Sequence, residues 1–590
     1  MNVPLDRHNI RNESSSSAYR NKSSRSASKN HNYIHNTHNQ CSHVMKRYLK
    51  EAITLPPISQ ETKLALFRKQ KPERISFLRA LILGKIDNET FTYPELDSPR
   101  YEDYCKWINP IENYISNCVN KKMDKKEILD NLRDLEVFRT HINNKYFGLT
   151  LSNTETLQLV EILSNLPWLG TYALKNHIIP VEIINKYGSE SQKLEYFPRI
   201  MSGDIIPTIC IYEGGYGTNI NSIKTFMMQQ TTDSWILNGE KEFVVNGINS
   251  NLFLVFTKYV APVTGKIKSD SFSLLLVERD FGNISCTNVC DTIGRHETPT
   301  CTIKFNDTVV PHKNIIGTPG GALDILMEYL KPGRQHITGQ AISILRNFLN
   351  LITSDIIQMK HFDRDLHTFD IVKKILGEIT FSLYTMESMA YLTTGMIDQY
   401  ENMNADLEQI ITETYCANKC LQCVQAGLQL MGAKSYMNNK SYIDAFHDAM
   451  ALTTMDINNL DSVTYVASKE RGSAVMEQYS DMLRITFILT EIYATFANII
   501  RASRSCAIGT RNSDLEKDLV TQMTYLSYTK ISLLKEEIDL TKAFNGDSCY
   551  IKLSFMLSPQ SSASDNHDVV DGTTMLLLSK AFGLHSSSDT

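Results

Sequence analysis

An α+β chain with a β-rich middle held between helical regions is predicted from three observations. From Ser98 to Gly203 apolar residues recur at helical spacing, as in Ile128, Leu132, Leu135 and Phe138, and again in Leu157, Val160, Leu163 and Leu166. Between Pro207 and Gly317 the pattern shortens to β-type runs: Leu252–Phe256, Phe272–Val277 and Cys301–Phe305. After Gly320-Gly321 helical spacing returns over long stretches. Strands enclosed by helices fit a single central β-domain.

Each region has its own signal. Met1–Lys50 is rich in Arg, Lys, Ser and Asn, with Asp6 and Glu13 its only acids, which suits either a transit peptide or a disordered tail. In the β-region, Trp235-Ile-Leu237 and Phe243-Val-Val245 flank Asn238-Gly239, a pair that favours a type I′ hairpin turn. Val260–Asp270 reads as the loop of a longer hairpin. Ile371, Val372, Ile375, Leu376, Ile379, Leu383 and Met386 form a stripe wide enough for a bundle helix. Pro332-Gly333 should end the helix that begins near Leu323. A further apolar face, Ile485, Ile488, Leu489, Ile492, Tyr493, Phe496 and Ile499-Ile500, predicts packing within the chain. The expected division is 1–70 transit or disordered, 71–205 helical, 206–318 β-domain, 319–470 helical bundle and 471–590 an appended helical domain.

With 590 residues, 42% hydrophobic and 21% charged, the composition is that of a globular chain of several domains. A net charge of -5 argues against nucleic acid as the main partner. No apolar run approaches 18 residues, so no transmembrane helix is expected. The 12 cysteines are scattered, which favours free thiols. Cys420-Leu-Gln-Cys423 shares i, i+4, i+7 spacing with Cys416, a helix-core pattern rather than a redox motif. No His/Cys cluster has zinc spacing.

Several stretches carry a resemblance to one family. Cys210-Ile-Tyr-Glu-Gly-Gly-Tyr-Gly-Thr-Asn219 and Lys241-Glu-Phe-Val-Val-Asn-Gly247 are similar to the L-T-E-P-x-x-G-S-D and W-I-(S/T)-N-G motifs of the acyl-CoA dehydrogenases. Tyr187-Gly-Ser-Glu-Ser-Gln-Lys-Leu-Glu-Tyr-Phe-Pro198 and Val310-Pro with Asn314-Ile-Ile-Gly317 match two further motifs. Leu83-Gly-Lys-Ile86, Tyr93-Pro-Glu-Leu96 and Met386-Glu-Ser-Met-Ala-Tyr391 resemble the very-long-chain branch. The resemblance runs from about Leu81 to Ser468. It implies N-terminal helices, a β-domain, a C-terminal four-helix bundle and an appended helical domain, with FAD as cofactor and acyl-CoA as substrate. A mitochondrial location and a homodimer are also implied.

The resemblance also assigns positions. The family's glutamate base lies in an E-G-T-N motif, which falls on Asp456-Ile-Asn-Asn459, so Asp456 is the candidate base. It is one methylene shorter than glutamate, and a displacement of about 1 Å costs on the order of a hundredfold. In some relatives the base precedes an arginine at the position of Gly333; Glu328, more than a turn away, reads as a solvated helix residue. The implied flavin contacts are Tyr212, Glu213, Gly217, Thr218, Phe243, Val245, Phe362, Gln429 and Gly432. Tyr212 stands for a threonine, Gly214 for proline, and Thr218 for serine. Phe243 replaces a tryptophan, and Val245 replaces a hydroxyl residue at the reactive edge. Met359-Lys-His-Phe-Asp363 aligns with R-x-Q-F-G, which reaches the pyrophosphate of a neighbouring subunit, so a guanidinium is lost and Asp363 is added. Gln429-Leu-Met-Gly-Ala-Lys-Ser-Tyr436 aligns with Q-I-M-G-G-M-G-F, with Ala433 and Ser435 in place of glycines.

Base, flavin edge, pyrophosphate and adenine positions are all altered, while Tyr187, Gln192, Pro198, Pro311 and Asn314 remain. The expectation is a family member with lost or weak dehydrogenase activity that works through protein contacts, as does the respiratory complex I assembly factor of this family, beside assembly proteins or the inner-membrane surface. The alternative is an active FAD-dependent long-chain enzyme with Asp456 as base.

Overall fold

Helices form first along the chain because its apolar residues recur every three or four positions. The computed structural model describes residues 74–85, 93–94, 98–121, 123–215, 222–260, 267–330, 336–400, 403–437, 440–456, 479–540 and 547. Among the described residues, seven α-helices precede the sheet: α1 (Phe77–Ile82), α2 (Ser98–Asn120), α3 (Lys125–Asp134), α4 (Asn153–Leu163), α5 (Pro167–Ala173), α6 (Ile179–Tyr187) and α7 (Glu190–Met201). Ile128, Leu132 and Phe138 are buried in one cluster with Val160, Leu163 and Tyr172. Each such side chain contributes roughly 1.5–3 kcal/mol by leaving water. Ser152 and Ser189 open α4 and α7 with capping boxes closed by Glu155 and Gln192. Gln192 also donates from its amide to the carbonyls of Lys313 and Ile315, 2.8 Å each, which ties α7 to the far end of the β-region. Asn314 completes that tie, donating to the Tyr196 hydroxyl at 2.7 Å and to the Leu276 carbonyl at 2.8 Å.

The β-region is one sheet of eight strands: β1 (Pro207–Cys210), β2 (Phe226–Gln229), β3 (Ser234–Val245), β4 (Leu252–Val260), β5 (Ile267–Glu278), β6 (Ile284–Val289), β7 (Thr300–Pro311) and β8 (Ile315–Ile316). The order is β6-β7-β3-β2-β4-β5-β8, and β1 lies parallel to β4. Strands β4 and β5 pair antiparallel, with Val260 opposite Ile267, so the longer hairpin forms but its loop is shorter than Val260–Asp270: Val260 belongs to β4 and Ile267–Asp270 to β5, and residues 261–266 lie outside the described residues. The other hairpin reading is corrected. Asn238-Gly239 does not turn the chain but lies inside β3 at a register shift between Leu237 and Gly239. Asn238 is held across the sheet instead, donating to Asp307 at 2.7 Å and accepting from the Asp307 N–H at 2.8 Å. Gly239, at φ +145, passes so close to Thr225 that a Cβ there would meet its atoms at 2.4–2.6 Å. The Asn-Gly pair thus serves a bulge, which needs the same backbone freedom as a turn.

Helices resume as α8 (Leu323–Leu330) and α9 (His336–Gln358), followed by a small hairpin, β9 (Lys360–His361) and β10 (Arg364–Asp365). Then come α10 (Asp370–Gln399), α11 (Asp406–Met431), α12 (Ala433–Tyr436) and α13 (Lys440–Ala451). Helices α9, α10, α11 and α13 make a four-helix bundle around Phe348, Met386, Cys420 and Tyr442. Cys416, Cys420 and Cys423 are buried free thiols on its inner face. Glu328 on α8 is not simply solvated: it accepts from Lys186 at 2.5 Å and from the Tyr187 hydroxyl, clamping α8 to α6.

Two long helices close the described chain, α14 (Tyr479–Ile508) and α15 (Ser513–Asp539). Leu489, Tyr493, Ala497 and Ile500 of α14 are buried with Met389, Leu392 and Met396 of α10 and with Phe77 and Leu78 of α1. Contrary to the expectation that no apolar run approaches the length of a transmembrane helix, the segment Leu483–Ile508 is, by length and composition, long and apolar enough to cross a membrane. Its mean hydropathy tolerates isolated charges, and those charges are paired: Glu491 with Lys530 at 3.2 Å, Arg501 with Glu387 at 3.1 Å.

Candidate functional site

Strand β3 alternates inward and outward side chains until its second irregularity, between Lys241 and Val244. Trp235, Leu237, Lys241 and Val244 point in and are buried. The break leaves Phe243 at φ +55 and 56% exposed, a left-handed backbone that costs a bulky residue roughly 1–2 kcal/mol. Val245 is half-buried. Its carbonyl accepts from the Thr208 hydroxyl at 2.9 Å and from Asn176 at 3.3 Å.

The loop after β1 is laid along this strand by a buried ion pair. Lys241, fully buried, donates from Nζ to Glu213 Oε1 at 2.8 Å and to the Ile211 carbonyl at 2.9 Å. Glu213 also accepts the backbone N–H groups of Lys224 at 2.7 Å and Thr225 at 3.0 Å. Burial pushes the Glu213 carboxyl up, but the Lys241 charge and these bonds outweigh it and hold the group below the usual carboxylate range. Burial pulls Lys241 down from the usual ammonium range, against the pull of Glu213. The pair's direction follows Glu213, because three donors, one of them charged, converge on that one carboxylate. Lys241 went unnoticed in the sequence; the signal was a lysine at an inward position of the alternation. The Glu242 N–H donates to the Tyr212 carbonyl at 2.9 Å. A Cβ on Gly214 would come within 2.4 Å of the Glu242 carboxylate, so a residue larger than glycine there requires the Glu242 side chain to swing away. Tyr212 itself is 39% exposed.

The remaining positions lie on the helical part of the chain. The β9–β10 hairpin turns at Phe362 and Asp363, both left-handed at φ +53 and +57, and Phe362 is 93% exposed. Met359 packs against the bundle core. Gln429 is exposed in the last turn of α11, and Gly432 follows at φ +55. The next residues form helix α12 rather than an open glycine turn. There Ser435 donates to the carbonyls of Leu428 and Gly432 at 2.9 and 2.8 Å, and Lys434 pairs with Asp355 at 3.1 Å. Asp456 is the last residue of a π-helical turn, Leu452–Asp456, that follows α13. Gly217, Thr218 and Gly333 lie outside the described residues. The structure therefore brings Tyr212, Glu213, Phe243 and Val245 together on β3 and its neighbouring loop, and sets Phe362, Gln429, Gly432 and Asp456 on the bundle. Among the described residues no group of three His, Cys, Asp or Glu side chains is arranged to hold a metal ion.

Three family models match the chain in order: acyl-CoA dehydrogenase N-terminal domain at residues 106–204, middle domain at 208–308 and C-terminal domain at 321–456, together more than half its length. The chain belongs to the acyl-CoA dehydrogenase family. As an acyl-CoA dehydrogenase-family chain it is 24% identical over 387 residues to the human mitochondrial very long-chain specific acyl-CoA dehydrogenase, which covers 63% of this chain and 59% of that one. It is 25% identical over 325 residues to the mitochondrial isobutyryl-CoA dehydrogenase of Dictyostelium discoideum, covering 54% and 76%. The family chain thus spans just under three fifths of the human very long-chain relative. In fold it is similar to an acyl-CoA dehydrogenase complexed with FAD from Bacillus anthracis, with a TM-score of 0.65, 17% identity and coverage of 81% and 94%. It is also similar to butyryl-CoA dehydrogenase from Megasphaera elsdenii, with a TM-score of 0.56, 19% identity and coverage of 63% and 97%.

FAD is therefore the cofactor that the family implies, and at three of the places that the resemblance assigns to it the described residues offer a poorer fit. Val245 offers hydrocarbon where a hydroxyl is expected. Met359 turns into the bundle core where a guanidinium is expected. The glycine turn has become a helix whose Ser435 and Lys434 are engaged within the fold. Each change removes a donor or a space that a charged dinucleotide needs.

Proposed function

We propose that this acyl-CoA dehydrogenase-family chain is a mitochondrial member of the very-long-chain branch with lost or weak dehydrogenase activity, and that it acts by contacting other proteins. The observation that carries this reading is Val245: at the reactive edge it supplies neither donor nor acceptor from its side chain, and its carbonyl is already engaged by Thr208 and Asn176. Scaffold contacts support the same reading, since Gln192, Asn314 and the Glu213–Lys241 pair keep their full sets of partners. Selection on shape without selection on flavin chemistry leaves this pattern. The partners proposed by resemblance are respiratory-chain assembly proteins or the inner-membrane surface, and the chain is proposed to pair as a homodimer. Mitochondrial location rests on the named location of the relatives.

The test is palmitoyl-CoA turnover with an artificial electron acceptor, run on the full chain after incubation with FAD. No turnover is expected. Turnover that is lost in Asp456→Asn would establish the active-enzyme reading instead.

A further inference from the structure

Helix α1 is six residues long, and its hold on the rest of the chain is correspondingly small. Its buried side chains are Phe77 and Leu78, which enter a cluster with Met389 and Leu392 of α10, Ile411 of α11 and Tyr493 of α14. The Phe77 ring lies 6.1 Å from that of Tyr493 and 5.8 Å from that of Phe496. Farther along, Ile82 and Leu83 are more than half exposed. The segment is anchored on both sides. Before it, the Asn404 N–H donates to the Arg74 carbonyl at 3.2 Å; after it, Tyr93 packs on the same cluster. The stretch between these anchors can therefore open without unfolding the rest.

A buried carboxyl takes part in the docking. Glu408, in the first turn of α11 and without solvent exposure, accepts the Leu78 N–H at Oε1, 2.7 Å away. Its Oε2 has no hydrogen-bond partner among the described residues. The groups that face it come from two other elements. On α1 these are Ser76, the N-cap, and the charge of Arg79; on α14 it is the Tyr493 hydroxyl. That hydroxyl is engaged by Thr393 of α10 at 2.6 Å, and Thr393 by Thr412 of α11 at 3.1 Å. Burial outweighs the Leu78 and Ser76 hydrogen bonds and the Arg79 charge, and pushes the carboxyl up to about 7. A neutral acid thus suits the docked segment, whereas a carboxylate there is a charge among hydrocarbon side chains. Of the elements around it, α1 is the shortest, so its departure is the readiest route by which water reaches the carboxylate.

We propose that Glu408 is a proton-operated latch for residues 76–83: with the carboxyl protonated the segment is docked, and loss of the proton favours its release from α10, α11 and α14. The sign follows from the two environments. Docked, the group titrates at about 7; released into water, it titrates at the ordinary glutamate value of about 4.3. Docking is at full strength below the released value, weakens as pH rises toward the docked value and is level above it. Between about pH 5 and about pH 8 the released population should rise on the order of a hundredfold.

The test is hydrogen–deuterium exchange of the full chain over that pH range, read by mass spectrometry on peptides covering residues 76–83, with the chemical exchange rate divided out. Protection of this segment should fall about a hundredfold and then level off near neutrality, while peptides from α4 keep theirs. Glu408→Gln keeps an acceptor for the Leu78 N–H but cannot ionise, so its protection should stay flat. Ser76→Ala removes a hydrogen bond that favours the carboxylate, so the fall should level off at higher pH, and this keeps the test decisive if Glu408→Gln misfolds by circular dichroism. The proposal is overturned if the parent's protection does not change with pH, if Glu408→Gln shows the same fall, if Ser76→Ala leaves the levelling point where it was, or if α4, α10 and α11 lose protection together with the segment, which marks opening of the whole fold.

Discussion

Replacing Lys241 by methionine removes a charge from a site with no solvent exposure. Two contacts disappear, to Glu213 at 2.8 Å and to the Ile211 carbonyl at 2.9 Å. Glu213 is left buried with the N–H groups of Lys224 and Thr225 as its remaining partners in the core. Breaking a buried pair by removing one member costs about 3–5 kcal/mol, most of it the penalty of an uncompensated buried charge. The pH dependence has a definite sign. In the parent, Glu213 is held below its unfolded pKa, so its contribution is present above about pH 4.3 and is lost on acidification through the folded value. In the variant, the Lys241 charge no longer opposes burial, so the folded value moves up from that of the parent and protonation relieves part of the penalty. Both effects narrow the gap between parent and variant as pH falls. Trp235 is buried on β3, the strand that carries Lys241, so urea unfolding followed by its fluorescence, with Trp107 and Trp168 replaced by phenylalanine, reports on this sheet. A loss below 1 kcal/mol at neutral pH, or a gap that does not narrow in acid, would refute the reasoning.

Other perturbations follow from single contacts. Gly239→Ala places a Cβ against the Thr225 backbone at a positive φ and should destabilise the chain by about 2–3 kcal/mol in the same assay. Glu408→Gln keeps an acceptor for the Leu78 N–H but never ionises. Because burial raises Glu408 to about 7, above its unfolded value, the parent carries a penalty that is absent in acid and complete above neutrality. The variant should therefore be more stable by roughly 3 kcal/mol above pH 8, with the difference vanishing near pH 4 in denaturation curves. Arg501→Met removes the pairing with Glu387 at 3.1 Å and the stacking at 4.2 Å on Tyr384, so α14 should be cut faster in limited proteolysis, with about 1–2 kcal/mol lost.

Helical stripes such as Leu157, Val160 and Leu163 were legible because a period near 3.6 leaves few alternatives for where an apolar face can go. The order of helices, sheet and bundle followed from the same patterns. Asn238-Gly239 was misread because a turn and a bulge demand the same backbone freedom; Asp307, 69 residues away, decides between them, and no local pattern reveals it. Glu328 looked solvated for a similar reason, since its partners Lys186 and Tyr187 are set by tertiary packing. At the candidate site, the missing hydroxyl at Val245 was visible in the sequence, whereas the Glu213–Lys241 pair and the inward turn of Met359 needed coordinates. Motif comparison flagged position 359 as a lost cation; the fold adds that its side chain serves the bundle core.

The central claim is that the pocket which grips a flavin in relatives does not grip one here. Visible absorbance of the full chain, purified without added cofactor and again after saturation with FAD and desalting, tests this most directly. The account predicts no flavin spectrum in either sample; one FAD per chain, bleached anaerobically by palmitoyl-CoA, would contradict it.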